Sequence, residues 1–174
     1  WWSEIKEWQR RDCLRYDTKS EHIKPQYVVQ KLYELTKGDA FIASDVGQHQ
    51  MWAGQSLAFG EGQRFMTSGG MGAMGFALPA GIGAAIGSGR PTVVVAGDGG
   101  FQLNIQELQT IVRNRLPVKM VVLNNRAHGM VRQFQESYFE SRYQSTVVGY
   151  DAPDFAKVAT AYGIAARRLD TERV

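Results

Sequence analysis

The sequence predicts an α/β domain, a mostly parallel sheet with helices on both faces. Two observations predict it. Short apolar runs alternate with helix-period patterns at the spacing of repeated β-α-β units, which favours parallel strands joined by helical crossovers. One of those runs, Thr92-Val93-Val94-Val95-Ala96, is continuous and rich in β-branched residues, as a strand covered on both faces should be, and 118–123 reads as a second buried strand. A length of 174 residues suits one domain with a sizeable core.

The elements follow in order. Residues 1–24 are rich in charge and carry Trp1, Trp2, Ile5, Trp8 and Leu14. They read as an amphipathic helix suited to a neighbouring domain, then a linker. Pro25 opens a helix, where its missing N–H costs nothing. Tyr27, Val28, Leu32 and Leu35 give that helix its apolar stripe, and Gly38 stops it. Residues 40–43 read as a strand ending at Ser44-Asp45, 48–57 as a short helix and 64–67 as a short strand. The Ala-, Gly- and Leu-rich stretch 75–86 reads as a closely packed helix. After the strand at 92–96, residues 104–113 form a helix with Ile105, Leu108, Ile111 and Val112 inward. Helices then begin at 128–135 and 154–162, and 163–166 reads as a last strand. The main domain is 25–174. Trp1 is not an initiator residue, and Arg173-Val174 follows an unfinished alternation, so the chain is expected to be a piece of a longer one.

Composition narrows the function classes. Net charge is +3 with no Lys/Arg stripe, so no nucleic-acid partner is expected, while phosphate-bearing small molecules remain suitable. Cys13 is the only cysteine, which leaves no internal disulfide or thiolate cluster and suits a reducing compartment. No apolar run has membrane-spanning length, so no membrane partner is expected, and the charged, aromatic start is not a signal peptide.

In open α/β sheets ligands sit beyond the carboxyl ends of the strands. Gly97-Asp98-Gly99-Gly100 follows one buried strand and Asn124-Asn125-Arg126-Ala127 the other. Asp98 and Asn125 stand 27 residues apart, one crossover, and project from the same edge if the strands are neighbours. One carboxylate, one amide oxygen and one backbone carbonyl would leave an octahedral magnesium ion room for phosphate oxygens and water. Gly99 and Gly100 let the backbone approach a diphosphate and offer N–H groups at a helix start. Gly-Asp-Gly and Asn-Asn are also ordinary turns; their joint placement at two strand ends carries the reading. A competing pattern, Gly70-Met71-Gly72-Ala73-Met74-Gly75, fits G-x-G-x-x-G between a strand and a helix and would make this a dinucleotide-binding oxidoreductase with Asp98 as the ribose acid. That alternative leaves Asn124-Asn125 without a role. Met71 and Met74 also suit core packing, His49 and His128 a solvent-facing helix, and Trp52 and Phe134 plain packing. His128 is given no role, and Asp45 suits orientation of the following turn.

At these residues the sequence resembles a known family. The span from Gly97-Asp98-Gly99 to Asn124-Asn125 is similar to the thiamine-diphosphate motif. The stretches from Ser44-Asp45-Val46-Gly47-Gln48-His49-Gln50-Met51-Trp52, from Thr67-Ser68-Gly69-Gly70 through Leu78-Pro79-Ala80, and Gly129-Met130-Val131-Arg132-Gln133-Phe134-Gln135 sharpen the likeness to acetolactate synthase (acetohydroxyacid synthase) large catalytic subunits. Ile23-Lys24-Pro25-Gln26 looks similar too.

The resemblance implies a thiamine-diphosphate-binding fold and a role for each matching residue. Asp98 and Asn125 would bind Mg2+ through side chains and Ala127 through its carbonyl. Gln48, His49, Gly72, Gly99, Gly100 and Met130 would lie on the cofactor, and Met74 would hold its V shape. Val131 and Phe134 would line the substrate approach; the family often has Trp where this chain has Phe134, which bears on substrate preference. The activating glutamate would come from a pyrimidine-binding domain outside this chain, normally of a partner catalytic subunit. FAD would sit in a middle domain also outside it, of which 1–24 would be the tail. A homodimer or larger assembly and a small regulatory subunit are implied as partners, 2-oxo acids as substrates, and the fragment alone should be inactive. The expected location is cytoplasmic in a bacterium, with an organelle left open. Another thiamine-dependent decarboxylase or carboligase is the nearest alternative; a binding or assembly module without chemistry is a further one.

Overall fold

The computed structural model describes residues 1–12, 14–37, 39–56, 61 and 64–170. The expected stop at Gly38, the helix end at Leu57, Cys13 and the last four residues lie outside them.

The order is α1 (Trp2–Arg10), α2 (Pro25–Thr36), β1 (Phe41–Ser44), α3 (Gln48–Ser56), β2 (Arg64–Thr67), α4 (Ala77–Ser88), β3 (Thr92–Gly97), α5 (Asp98–Leu103), a 3-10 turn (Ile105–Glu107), α6 (Leu108–Asn114), β4 (Val118–Leu123), α7 (Gly129–Tyr138) and α8 (Phe155–Ala161). The four strands form one parallel sheet in the order β2-β1-β3-β4. Strand side chains alternate between faces, and the two cores follow that alternation. Ala43, Val94 and Ala96 face Leu78, Ile82 and Ala85 of α4, Phe101 of α5 and Leu108 and Ile111 of α6. Ile42, Val93 and Val95 face Val29 and Leu32 of α2 and Trp52 of α3. Helices thus cover both faces, and Trp52 is a packing residue. No helix among the described residues is long and apolar enough to cross a membrane.

Three expectations need correction. β4 is only partly buried, with Lys119 exposed, because it forms the sheet edge among the described residues. Residues 163–166 are not a strand: Ile164 packs on the core and its N–H bonds Ala159 O at 2.9 Å, which holds it to the end of α8 instead of to a sheet neighbour. The helix expected at 104–113 is split, and helical structure starts six residues earlier, at Asp98. Asn104 leaves the helical region (φ −128°, ψ 29°) while its Nδ2 donates to Gly75 O at 2.7 Å, so a side-chain bond to a distant turn interrupts the helix.

The strand order decides where ligands can sit. From β1 the chain moves outward to β2, then returns across β1 to β3 and continues to β4. The reversal lies between β1 and β3, and the crevice beyond their carboxyl ends is the expected binding position. The residues there are Asp45 to His49 and Gly97 to Gly100. The same order removes the dinucleotide alternative. That fold needs the glycine-turn strand beside the strand bearing the ribose acid, and here β1 stands between β2 and β3.

Candidate functional site

Asp45, the first residue after β1, is 1% exposed. Its Oδ1 accepts from the N–H groups of Val46 (2.9 Å), Gly75 (2.9 Å) and Phe76 (3.2 Å). The carboxylate holds the turn that follows it, as the sequence suggested, through Val46, and also ties the end of β1 to the distant turn that leads into α4, which the sequence did not indicate. Burial pushes its carboxyl above the ordinary 3.8, against the pull of those backbone donors.

Residues 45–47 turn the chain into α3 and place Gln48 and His49 at its start. His49 is 4% exposed, and its ring lies against Gly97, where a Cβ would come within 3.2 Å of Cε1 and Nδ1. The solvent-facing reading of His49 is therefore corrected: its ring is buried against Gly97 at the end of β3 and the Gly47 turn after β1. Nε2 is buried without a hydrogen-bond partner among the described residues. Burial lowers the imidazole from 6.5 to about 4, opposed by a hydrogen bond to the Asp45 backbone, so the ring is neutral at pH 7. The unfolded chain takes up a proton below 6.5 and the folded one only near 4, so this stabilisation is complete above 6.5 and fades on acidification. A loss of about 2 kcal/mol by about pH 5 is expected. Urea melts of the wild type and His49→Gln at both pH values check it: the variant should lose less stability, and equal losses would exclude His49 as the source.

β3 ends in Gly97 opposite Leu123 of β4, so Asp98 stands opposite Asn124, next to Asn125. Asp98 is 2% exposed; its Oδ2 accepts from the Tyr150 hydroxyl at 2.9 Å. Asn125 is exposed. Its Oδ1 accepts from Ala127 N–H at 3.2 Å, and its Nδ2 donates to Gln48 Oε1 at 3.2 Å.

Two glycines permit close approach here. A Cβ on Gly99 would lie 2.6 Å from His128 Cε1 and 3.2 Å from Met74 Cε. A Cβ on Gly129 would lie 2.2 Å from Gln48 Oε1 and 2.8 Å from Asn125 Nδ2. Met74, Gly99 and His128 therefore meet at the end of β3, and Gln48, Asn125 and Gly129 at the end of β4. Ala127 is buried, and an open cleft of about 510 Å3 is bordered by Gln48, Asn125, Ala127, Gly129 and the first turns of α7. Met130 and Gln133 border a smaller hollow beside Met51 and Trp52.

The remaining candidates lie away from these two meeting points. Gly72 is on an exposed turn, where a Cβ would meet nothing nearer than Val46 Cγ1 at 3.9 Å. Gly100 sits one turn into α5, directly over the Asp45 carboxylate. Val131 and Phe134 are exposed on α7, and the Phe134 ring is 4.7 Å from that of Tyr138 and 5.8 Å from that of Phe139. Met71 is 93% exposed and is not core filler.

Sequence reasoning missed two residues. His128 had no role, yet its ring abuts Gly99 and packs edge-on against Tyr150 at 4.5 Å. Tyr150, not singled out at all, reaches Asp98 across 52 positions. Burial first, then the Asp98 carboxylate, pushes the Tyr150 hydroxyl above its ordinary 10, so it stays a proton donor. No local signal marks either contact.

Among the described residues no group of three or more His, Cys, Asp or Glu side chains could hold a metal. A cation here would depend on one carboxylate, neutral oxygens and its own ligand's charge. That donor set fits magnesium carried in with a diphosphate. The unpartnered His49 Nε2 fits a polar ligand in the crevice, whereas the space beside Gly99 is taken by the His128 ring and Met74.

The model of the thiamine pyrophosphate enzyme family's C-terminal TPP-binding domain matches residues 45–173. The chain is 49% identical over 164 residues to the acetolactate synthase isozyme 3 large subunit of Escherichia coli (strain K12), covering 94% of this chain and 28% of that protein. It is 47% identical over 164 residues to the acetolactate synthase large subunit of Haemophilus influenzae, with the same coverage. It is 43% identical over 176 residues to acetolactate synthase 1, chloroplastic, of Oryza sativa subsp. japonica, covering 97% of this chain and 27% of that protein. The chain thus spans less than a third of the length of these relatives.

Proposed function

The chain belongs to the thiamine pyrophosphate enzymes, through their C-terminal TPP-binding domain, and from that membership we propose that it is the diphosphate-binding domain of an acetolactate synthase large subunit. The observation that carries the site is the pairing of β3 with β4, which sets Asp98 beside the Asn124-Asn125 turn at one sheet edge. Asp98 and Asn125 would hold Mg2+ through side-chain oxygens and Ala127 through its carbonyl. Gln48, His49, Gly72, Gly99, Gly100 and Met130 would bind thiamine diphosphate, and Met74, beside Gly99, would support its bent shape. When bound, the cofactor supplies a stabilised carbanion at its thiazolium ring.

The protein's own work is binding, orientation and exclusion of water. Asp98 contributes the single negative charge that brings a cation to a dianionic ligand without repelling it. His49, kept neutral by burial, offers an imidazole that adds no charge to that balance. The exposed α7 face with Val131 and Phe134 would border the substrate approach once the rest of the protein covers it.

The parent enzyme would join two pyruvates into 2-acetolactate with release of CO2, or pyruvate and 2-oxobutyrate into 2-aceto-2-hydroxybutyrate, in branched-chain amino acid biosynthesis. Residues 1–24 would be the tail of a preceding middle domain that carries FAD. A partner catalytic subunit would supply the pyrimidine-binding domain with its activating glutamate, so 25–174 alone would be inactive; a small regulatory subunit would be a further partner. The test is product analysis: full-length protein with pyruvate, Mg2+ and thiamine diphosphate should form acetolactate, and neither cofactor should suffice alone. Acetaldehyde or another ligation product in its place would assign the protein to a sister decarboxylase or carboligase.

A further inference from the structure

Asp98 does not stand alone at the end of β3. The Tyr150 hydroxyl donates to its Oδ2 at 2.9 Å. The Gln102 amide donates to the Asp98 carbonyl at 3.3 Å and to the Tyr150 oxygen at 3.5 Å. Because Gln102 supplies its hydrogen to that oxygen, the hydroxyl's own hydrogen is committed to the carboxylate. Oδ1 accepts no hydrogen bond among the described residues. The loop bearing Tyr150 is itself tied down beside the site. Asp151 pairs with Arg126 at 2.8 Å, His128 N–H bonds Thr146 O at 3.2 Å, and the Tyr150 ring packs against His128. One loop, 146–151, thereby reaches both strand ends that carry the candidate ligands.

We propose that Tyr150 is a positioning residue for the cation site: its hydroxyl occupies Asp98 Oδ2 and turns Oδ1 toward the metal as a single-oxygen ligand. The inference rests on the magnesium reading of Asp98 given above. A carboxylate free to rotate must be ordered when the cation arrives, and it can close on the cation through both oxygens, a geometry an octahedral ion of magnesium's size accepts poorly. A partner fixed on one oxygen removes both penalties. Outer partners of this kind typically govern about 10- to 100-fold in metal affinity.

The experiment uses the full-length apo protein. Thiamine diphosphate is titrated calorimetrically at a series of Mg2+ concentrations, for the wild type and for Tyr150→Phe, which keeps the ring against His128. Tyr150→Phe should need about 10-fold more Mg2+ for half-maximal cofactor binding, and saturating Mg2+ should restore wild-type cofactor affinity. Asp151→Ala, which cuts the loop's exposed and therefore weak tie to Arg126 without touching Asp98, should shift the Mg2+ requirement much less than Tyr150→Phe does. An unchanged or lowered requirement in Tyr150→Phe, a loss that excess Mg2+ does not restore, or an equal shift in Asp151→Ala would overturn the positioning role. Asp98→Ala is run in parallel: if it binds cofactor with the wild-type Mg2+ dependence, the cation site itself is misassigned, whereas its loss beside an unshifted Tyr150→Phe rejects only the role of Tyr150.

Discussion

Asp98→Ala in the full-length protein should weaken magnesium-dependent binding of thiamine diphosphate by about 100-fold or more, since a metal ligand matters at least as much as the outer partners that orient it. The argument is electrostatic. Asp98 is the only carboxylate among the proposed ligands; Asn125 and Ala127 offer neutral oxygens. Without that charge, the cation would have to leave water for amide and carbonyl dipoles, and magnesium gives up its water reluctantly. Asp98→Asn keeps the volume and an oxygen for the Tyr150 hydroxyl, so it separates lost charge from lost packing. It should fold like the wild type and still bind the cofactor poorly. Calorimetric titration with and without Mg2+ is the measurement, and wild-type affinity in either variant would remove Asp98 from the site.

Asp45→Ala should cost about 4 kcal/mol of folding stability, although Asp45 is proposed to touch no ligand. Its carboxylate accepts from three backbone N–H groups, those of Val46, Gly75 and Phe76. Each would be left without its acceptor, that of Gly75 buried and those of Val46 and Phe76 part-buried, at about 1–3 kcal/mol for a fully buried group and toward the low end for the others. Removal of the side chain also opens space under α5, where a Cβ on Gly100 would come within 2.2 Å of Oδ2. The turn before α4 carries Met74, so cofactor affinity should fall with stability. Asp45→Asn retains one acceptor oxygen and should lose roughly half as much. Urea unfolding monitored by tryptophan fluorescence, at an unchanged denaturant slope, is the check. A loss under about 1 kcal/mol would mean that the turn holds itself.

Local pattern determined most of the fold. The run 92–96 is apolar and, but for Ala96, β-branched, so it reads as a covered strand, while 64–67 and 118–123 stood out as short, mainly apolar stretches between helix-period patterns. The positions of the proposed ligands were legible too, because the strand-helix-strand rule directs attention to the residues just after strands, and Asp98 and Asn125 sit there. The glycine pattern at 70–75 was ambiguous in sequence, since a strand precedes it and a helix follows. Only the order β2-β1-β3-β4 resolved it, by inserting β1 between the two strands that a dinucleotide fold would pair.

What the sequence by itself determined is the alternation of elements and which residues terminate them, since hydrophobic period and turn chemistry act over a few neighbouring positions. Tertiary structure alone decided who meets whom. It buried His49 against Gly97 at the end of β3, broke the helix at Asn104 through a bond to Gly75, left Ile164 without a sheet partner and brought Tyr150 onto Asp98. Contacts between residues tens of positions apart depend on strand order and on the space a missing Cβ leaves. Neither quantity is written in any local stretch of the chain.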